Sequence, residues 1–230
     1  MSFNNSDDFI KEMNAYYDSR AEWHDDYMSY ESNDKMEDLL APIISLIEKY
    51  VVKKDVLEIA CGTGNWTQVL ARRAKSVLAT DINQSVINVA LGKEYKPAKP
   101  EFVIGDAYTL DNITSTFDVI FAADFFSHIP VLKVESFLKA AANKLRNDGR
   151  IIVLDMLPHE GLEIDKHQYD GDGNFYCLRT LPNGKQFRVI KNFPDKTHLS
   201  DYFACLRGNF EYYENDDLKR WLVIFKLDKI

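Results

Sequence analysis

The sequence predicts an α/β fold: a mostly parallel sheet with helices on both faces and an antiparallel strand at the end. Three observations carry that expectation. Short apolar runs alternate with helix-spaced patterns from Asp55 to Asp155, the arrangement that lays parallel strands side by side. The first run stops abruptly at Cys61-Gly62-Thr63-Gly64, a turn where backbone can approach a ligand and helix N–H groups point outward. The last two runs, about 209–214 and 220–228, flank only Asn215-Asp216-Asp217 and their neighbours. That gap is too short for a crossover helix, so the last strand enters antiparallel.

The elements follow in order. Residues 7–30 read as helical and aromatic, with Phe9, Ile10, Met13, Tyr16, Tyr17 and Arg20 on one face. Trp23, His24, Tyr27 and Tyr30 continue the character, and the stretch suits a lid over a pocket or a helix packed on the core edge. Asp34 to Tyr50 is a second helical stretch with Pro42 inside it, so a kink or a break into two helices is expected near Ala41. Strand one is 55–60 and its helix about 65–74; strand two is 76–80, ending at Asp81, with a helix at 84–94. Strand three is 101–104, ending at Gly105-Asp106-Ala107, and strand four is 117–122, ending at Ala123-Asp124. A helix at 131–146 is expected to end on a left-handed cap at Asn147-Asp148-Gly149, before strand five at 150–155. Asn183-Gly184 between the extended runs of 176–190 signals a β-hairpin, and a short helix at 195–206 follows. No linker divides the chain. A single domain is expected, with N-terminal helices (1–50), a ligand-binding core (51–156), an inserted cap (157–207) and a closing hairpin (208–230).

Composition removes several function classes. The 230 residues are 46% hydrophobic, enough for a sizeable core. The formal charge of −8, with no basic stripe, argues against a nucleic-acid partner. Cys61, Cys177 and Cys205 are odd in number and lack CxxC spacing, which fits free thiols in a reducing compartment. The polar, acidic N-terminus does not read as a signal peptide, and no apolar run is long enough to span a membrane. A cytoplasmic location without membrane contact is therefore expected. His24, His159, His167 and His198 lack metal-ligand spacing, so no metal is expected.

Ligands of an open parallel sheet sit at the carboxyl ends of its strands. Here four such ends carry polar signals: the Gly62–Gly64 turn, Asp81, Asp106, and Asp124 with His128 beyond it. Asp81 lies roughly twenty residues past the turn, the distance at which a carboxylate reaches ribose hydroxyls. A dinucleotide fingerprint, G-x-G-x-x-G, would need a third glycine where this chain has Thr67. The ligand therefore reads as a nucleoside without a pyrophosphate.

These residues carry a resemblance. Val56-Leu57-Glu58-Ile59-Ala60-Cys61-Gly62-Thr63-Gly64 resembles motif I of the class I S-adenosylmethionine-dependent methyltransferases, and Asp81, Gly105-Asp106-Ala107 and Phe117 through His128 match the next motifs in order. It covers about 35–156 well and 209–228 in outline. Ala60 departs from the pattern, since the family often has a glycine there. Tyr16-Tyr17-Asp18-Ser19-Arg20-Ala21 and the 178–189 segment resemble a bacterial small-molecule branch more loosely. The resemblance implies a Rossmann-like, seven-stranded sheet and S-adenosylmethionine as cofactor. It implies that Ala60, Gly62 and Gly64 let backbone approach the methionine part, with Glu58 beneath the turn and Ala123 facing the amino acid portion. Asp81 would bind the ribose, Ile82 would cover the adenine, and Asp106 with Ala107 would meet its amino group. Tyr17 and Arg20 are carried over as cofactor-binding residues from the N-terminal block.

Methyl transfer from a sulfonium needs alignment and exclusion of water. A base is required only if the nucleophile must lose a proton. His128 and Asp155 are the candidates, and Tyr16 or Tyr17 could reach in from the lid. Ser127 and Cys61 show no triad and read as structural. The expected acceptor is a small molecule with an N or O nucleophile, lying between the N-terminal helices and the 157–190 insertion. Asp124, Asp155, Glu160 and Glu163 favour an amine or another cationic group. A nicotinamide-dependent oxidoreductase and a non-catalytic cofactor-binding partner subunit are the alternatives. The aromatic hairpin at 175–190 is a candidate homodimer contact.

Overall fold

The computed structural model describes residues 6–21, 34–158 and 169–228. Trp23, His24, Tyr27, Tyr30, His159, Glu160, Glu163 and His167, named above as lid, acceptor-facing or non-metal residues, lie outside the described residues.

The chain runs α1 (Ser6–Ser19), α2 (Asp34–Val51), β1 (Asp55–Ile59), α3 (Asn65–Ala71), β2 (Ser76–Asp81), α4 (Gln84–Leu91), β3 (Glu101–Ile104) and β4 (Phe117–Ala123). It continues through α5 (Val134–Ala142), β5 (Leu145–Met156), β6 (Tyr176–Thr180), β7 (Gln186–Ile190), α6 (Lys196–Phe203), β8 (Gly208–Asn215) and β9 (Arg220–Leu227). Seven strands form one sheet in the order β3-β2-β1-β4-β5-β9-β8, and β6 with β7 form a separate two-stranded hairpin. Strands β1 to β5 pair in parallel, and β9 enters antiparallel between β5 and β8. The Rossmann-like, mostly parallel sheet is thus present, with its hairpin after β5.

Strand alternation builds two cores. On one face Val56, Val119, Phe121, Ile152 and Leu154 pack with Ile43, Ile47 and Val51 of α2 and Leu70 of α3. On the other, Leu57, Ile59, Ile120, Ile151 and Val153 meet Phe137 and Leu138 of α5 and Phe203 of α6. Strand order reverses between β1 and β4, so their carboxyl ends open the crevice where ligands of such sheets bind.

Two expectations change in detail. Helix α2 continues unbroken through Pro42, because burial of Ile43, Ile47 and Val51 outweighs the one hydrogen bond a proline removes. The Asn147-Asp148-Gly149 turn does not end a helix. Helix α5 stops at Ala142, and β5 has already begun at Leu145, paired with Phe117. Asp148 has φ 63° within an irregular stretch where the pairing slips between Phe117 and Val119. The left-handed preference read as a cap instead serves a bulge.

The hairpin is covered from within the chain. Met13 and Tyr16 of α1 pack on Leu181, Phe187 and Val189, and Phe9 packs on Tyr176 and Ile190. Its aromatic face is spent on α1, so that face is not available as the dimer contact expected from sequence. Among the described residues no helix is long and apolar enough to cross a membrane.

Candidate active site

The turn after β1 is built on left-handed backbone. Ala60 (φ 54°), Gly62 (φ 54°) and Gly64 (φ 84°) alternate along it. Cys61 N donates to the Thr80 carbonyl, and Gly62 N donates to Asp81 Oδ2 at 2.9 Å. Asp81 Oδ1 accepts from Asn83 N, also at 2.9 Å. One carboxylate at the end of β2 therefore fixes both turns that follow β1 and β2. Beneath them Glu58 is buried and accepts from Thr67 Oγ1 at 2.5 Å. Burial pushes its carboxyl up to about 8, with the Thr67 hydrogen bond opposing and the nearby Asp81 charge adding to the rise.

A cavity of about 520 Å³ opens above these strand ends, within the range of small-ligand sites. Glu58, Ala60, Gly62, Asp81, Ile82, Asp106, Ala107 and Ala123 all line it, as do Tyr17 of α1 and Arg20 just past the end of that helix. Ile82 is an apolar side chain left 42% exposed at this wall. Asp106 Oδ1 is held by Tyr108 N at 2.7 Å. Gly64 is the exception, for it does not line the cavity. A Cβ there would lie 2.4 Å from the Tyr95 hydroxyl and 3.0 Å from Ala90 Cβ, so this glycine serves packing against α4.

The β4–β5 side of the cavity has a different lining: His128, Met156, Arg179, Lys191 and Phe193. His128 Nε2 lies 2.9 Å from the Tyr17 hydroxyl, and its Nδ1 lies 2.5 Å from the Ile190 carbonyl. Burial, with Lys191 nearby, drives the imidazole pKa well below its usual value, so it is neutral. Asp155 is wholly buried and does not line the cavity. Its carboxylate accepts from Ser127 N (2.8 Å), Ser127 Oγ (3.0 Å), Met156 N (2.7 Å) and Lys191 Nζ (3.3 Å). A carboxylate so enclosed is not placed to take a proton from an acceptor, which corrects the expectation of Asp155 as a base. Asp124, in left-handed backbone at φ 55°, is ion-paired with Arg220 and accepts from Trp66 Nε1 at 3.3 Å. Of the four acidic groups read as favouring an amine, the two among the described residues are ion-paired, Asp124 with Arg220 and Asp155 with Lys191.

Two family models match the chain: "Methyltransferase domain" over residues 56–149, and "tRNA (Uracil-5-)-methyltransferase" over residues 11–96. The first spans β1 to the bulge in β5, the segment that carries the glycine turn and both strand-end aspartates. A solved complex of DhpI with SAM and HEP superposes with a TM-score of 0.77 at 25% identity, covering 96% of this chain and 99% of that one. Residues 56–149 carry a methyltransferase domain, and these likenesses together support a class I S-adenosylmethionine-dependent methyltransferase. Among curated relatives, an uncharacterized methyltransferase from Staphylococcus carnosus is 27% identical over 61% of this chain and 66% of its own length. A demethylmenaquinone methyltransferase from Thermotoga maritima is 29% identical over 45% of this chain and 44% of its own. The match therefore spans less than two thirds of these relatives' length.

The cofactor of this methyltransferase is S-adenosylmethionine, and the residues present fit it. A cradle of left-handed backbone at Ala60 and Gly62 leaves no side chain beyond a methyl, and an exposed apolar wall at Ile82 sits beside carboxylates at two strand ends. What sequence reasoning missed is that Arg179, Lys191 and Arg220 line the cavity, the last two in ion pairs with Asp155 and Asp124. Register held a weak signal for two of them. Phe187 and Val189 face α1, and Lys191 continues their alternation; Arg179 sits opposite Phe187 in the hairpin, on the same face.

Proposed function

We propose that this methyltransferase transfers the methyl group of S-adenosylmethionine to an oxygen of a small acceptor that carries a negative charge. One observation carries the reading: Arg179 and Lys191 enter, from the hairpin, the same cavity whose other side is formed by the cofactor-type strand ends. Cations at that position select a carboxylate, phosphate or phosphonate by charge-assisted hydrogen bonds. The overall charge of −8 and the covering helix α1 favour a small molecule over a nucleic acid.

In this reading Gly62 and Ala60 admit the methionine part of the cofactor against bare backbone, and Ala123 lies beside it. Asp81 accepts from the ribose hydroxyls, Ile82 covers one adenine face, and Asp106 with Ala107 meets the adenine edge. Arg20, whose Nη1 donates to the Tyr16 hydroxyl at 2.9 Å, and Tyr17 close the site from α1. Glu58 supplies negative charge beneath the turn. The cofactor supplies a methyl carbon activated on a sulfonium, so carbon–sulfur breakage and carbon–oxygen bond formation balance without a base when the acceptor oxygen is already ionised. The chain's part is to hold that oxygen in line and exclude water.

A second reading rests on the Tyr17–His128 pair. A neutral imidazole, with its lone pair on the phenol, could draw a proton from an amine or hydroxyl acceptor through Tyr17. One assay separates the readings: S-adenosylhomocysteine formation over a panel of small carboxylates, phosphonates and amines, with wild type and His128→Gln. Turnover on ionised acids that survives His128→Gln supports the first reading. Turnover confined to amines, abolished by His128→Gln, sinks it. Thermal shifts with S-adenosylmethionine and with NAD give an independent check, since stabilisation by NAD alone would remove both readings.

A further inference from the structure

Lys191 is an unusual residue to find buried just past a hairpin that packs on a helix. It is buried, at the end of the run Phe187, Val189, Lys191 that faces α1 and the cavity. Its Nζ donates to Ser127 Oγ at 2.7 Å and to Asp155 Oδ1 at 3.3 Å. An ammonium has three donors, so two are directed into the protein at fixed points. Ser127 is itself fixed, because its backbone N–H and its hydroxyl both donate to Asp155. Asp155 is in turn held by Met156 N. The chain of contacts runs from the end of β5, through the turn after β4, to the residue just past β7. It joins three elements at one nitrogen, on a residue that lines the cavity.

We propose that Asp155 and Ser127 are positioning residues that hold the Lys191 ammonium in one direction as the anchor for the acceptor's anionic group. The proposal rests on the anionic-acceptor reading above and goes beyond it by assigning the work to two residues that do not touch substrate. A lone lysine beside a short hairpin would swing over several rotamers. Asp155 compensates the ammonium charge inside the protein while the site is empty. Ser127 sets the direction, because its oxygen accepts from Lys191 while its proton goes to Asp155. Removing either partner should weaken anion binding and leave the opposite, cofactor side of the cavity unchanged.

The test uses the full chain saturated with S-adenosylhomocysteine and titrated with inorganic phosphate, and separately with acetate, by calorimetry. Asp155→Asn should weaken whichever anion binds by about tenfold or more, as expected when a buried charge loses its partner. Ser127→Ala, a smaller change that keeps the ion pair, should weaken it by roughly threefold. Affinity for S-adenosylhomocysteine should stay within about twofold in both, since the sites are independent when apart. In a Lys191→Gln background the Asp155→Asn change should cost no further anion affinity. Equal anion affinity in wild type, Asp155→Asn and Ser127→Ala overturns the proposal. So does a loss that persists in the Lys191→Gln background or falls equally on S-adenosylhomocysteine, for that is a structural role. If wild type binds neither anion, the anionic-acceptor reading itself fails and takes this proposal with it.

Discussion

The Tyr17 hydroxyl donates to His128 Nε2 at 2.9 Å, joining residues 111 positions apart. The Ile190 carbonyl on the other ring nitrogen can only accept, so Nδ1 carries the proton and Nε2 takes the phenol's. One neutral imidazole thereby ties the covering helix α1, the turn after β4 and the hairpin. Tyr17→Phe leaves Nε2 without its donor and should cost about 1–2 kcal/mol of stability. It should also loosen α1 over the site and raise the S-adenosylmethionine Kd several-fold. Binding as tight as wild type would show that α1 is held without this bond.

His128 also sets a pH edge. Its folded-state pKa is depressed by burial, and the unfolded chain takes up a proton near the usual 6.5. Its contribution is therefore complete above pH 6.5 and lost as pH falls below it. Tm measured from pH 7.5 down to 5 should fall less steeply in His128→Gln than in wild type.

Glu58 works in the opposite direction. Burial raises it to about 8, so the folded protein keeps a proton that the unfolded chain releases near 4.5. Its contribution is complete below pH 4.5 and lost as pH rises towards 8. A cation bound above it should ionise it, so cofactor binding at pH 7 should release a proton and tighten as pH rises to about 8. Calorimetry in two buffers of different ionisation enthalpy would measure that proton. Glu58→Gln should abolish it and weaken S-adenosylmethionine binding.

The turn offers two substitutions of opposite sign. Ala60 sits at φ 54°, where a Cβ is strained by roughly 1–2 kcal/mol. Ala60→Gly should stabilise by about 0.5–1 kcal/mol after the unfolded-state entropy is counted, visible as a higher Tm. Gly64→Ala should cost more than about 2 kcal/mol, since strain and overpacking add. Tyr95→Phe removes the hydroxyl 2.4 Å from the new methyl and should restore part of that loss.

Arg179→Gln addresses the acceptor alone. Loss of one charge-assisted contact should raise acceptor KM by roughly 10- to 100-fold with little change in the cofactor's KM. An unchanged acceptor KM would remove Arg179 from the anion-binding wall.

Much of the cofactor side was legible because it is local. The apolar run Val56–Ile59, its glycine turn and the aspartates ending β2 and β3 each depend on near neighbours in sequence. Ala60 shows the limit, since nothing in its identity reveals a left-handed backbone. The Asn147-Asp148-Gly149 turn shows another: its conformational preference was readable, but pairing of Leu145 with Phe117 made it a bulge rather than a cap. On the acceptor side, charges were counted from sequence without their partners. Asp124 and Asp155 suggested an amine, yet Arg220 and Lys191, 96 and 36 residues away in sequence, neutralise them.

The sequence by itself determined the order of strands and helices, the polar strand ends and the cofactor they imply, because periodicity and turn chemistry act over a few residues. Tertiary structure decided which charges face the cavity, which carboxylate is sealed away, and that α1 closes the site through Tyr17 and His128. Those outcomes depend on contacts between segments far apart in the chain, where burial and pairing, not residue type alone, decide whether a side chain is a base, an anchor or a strut.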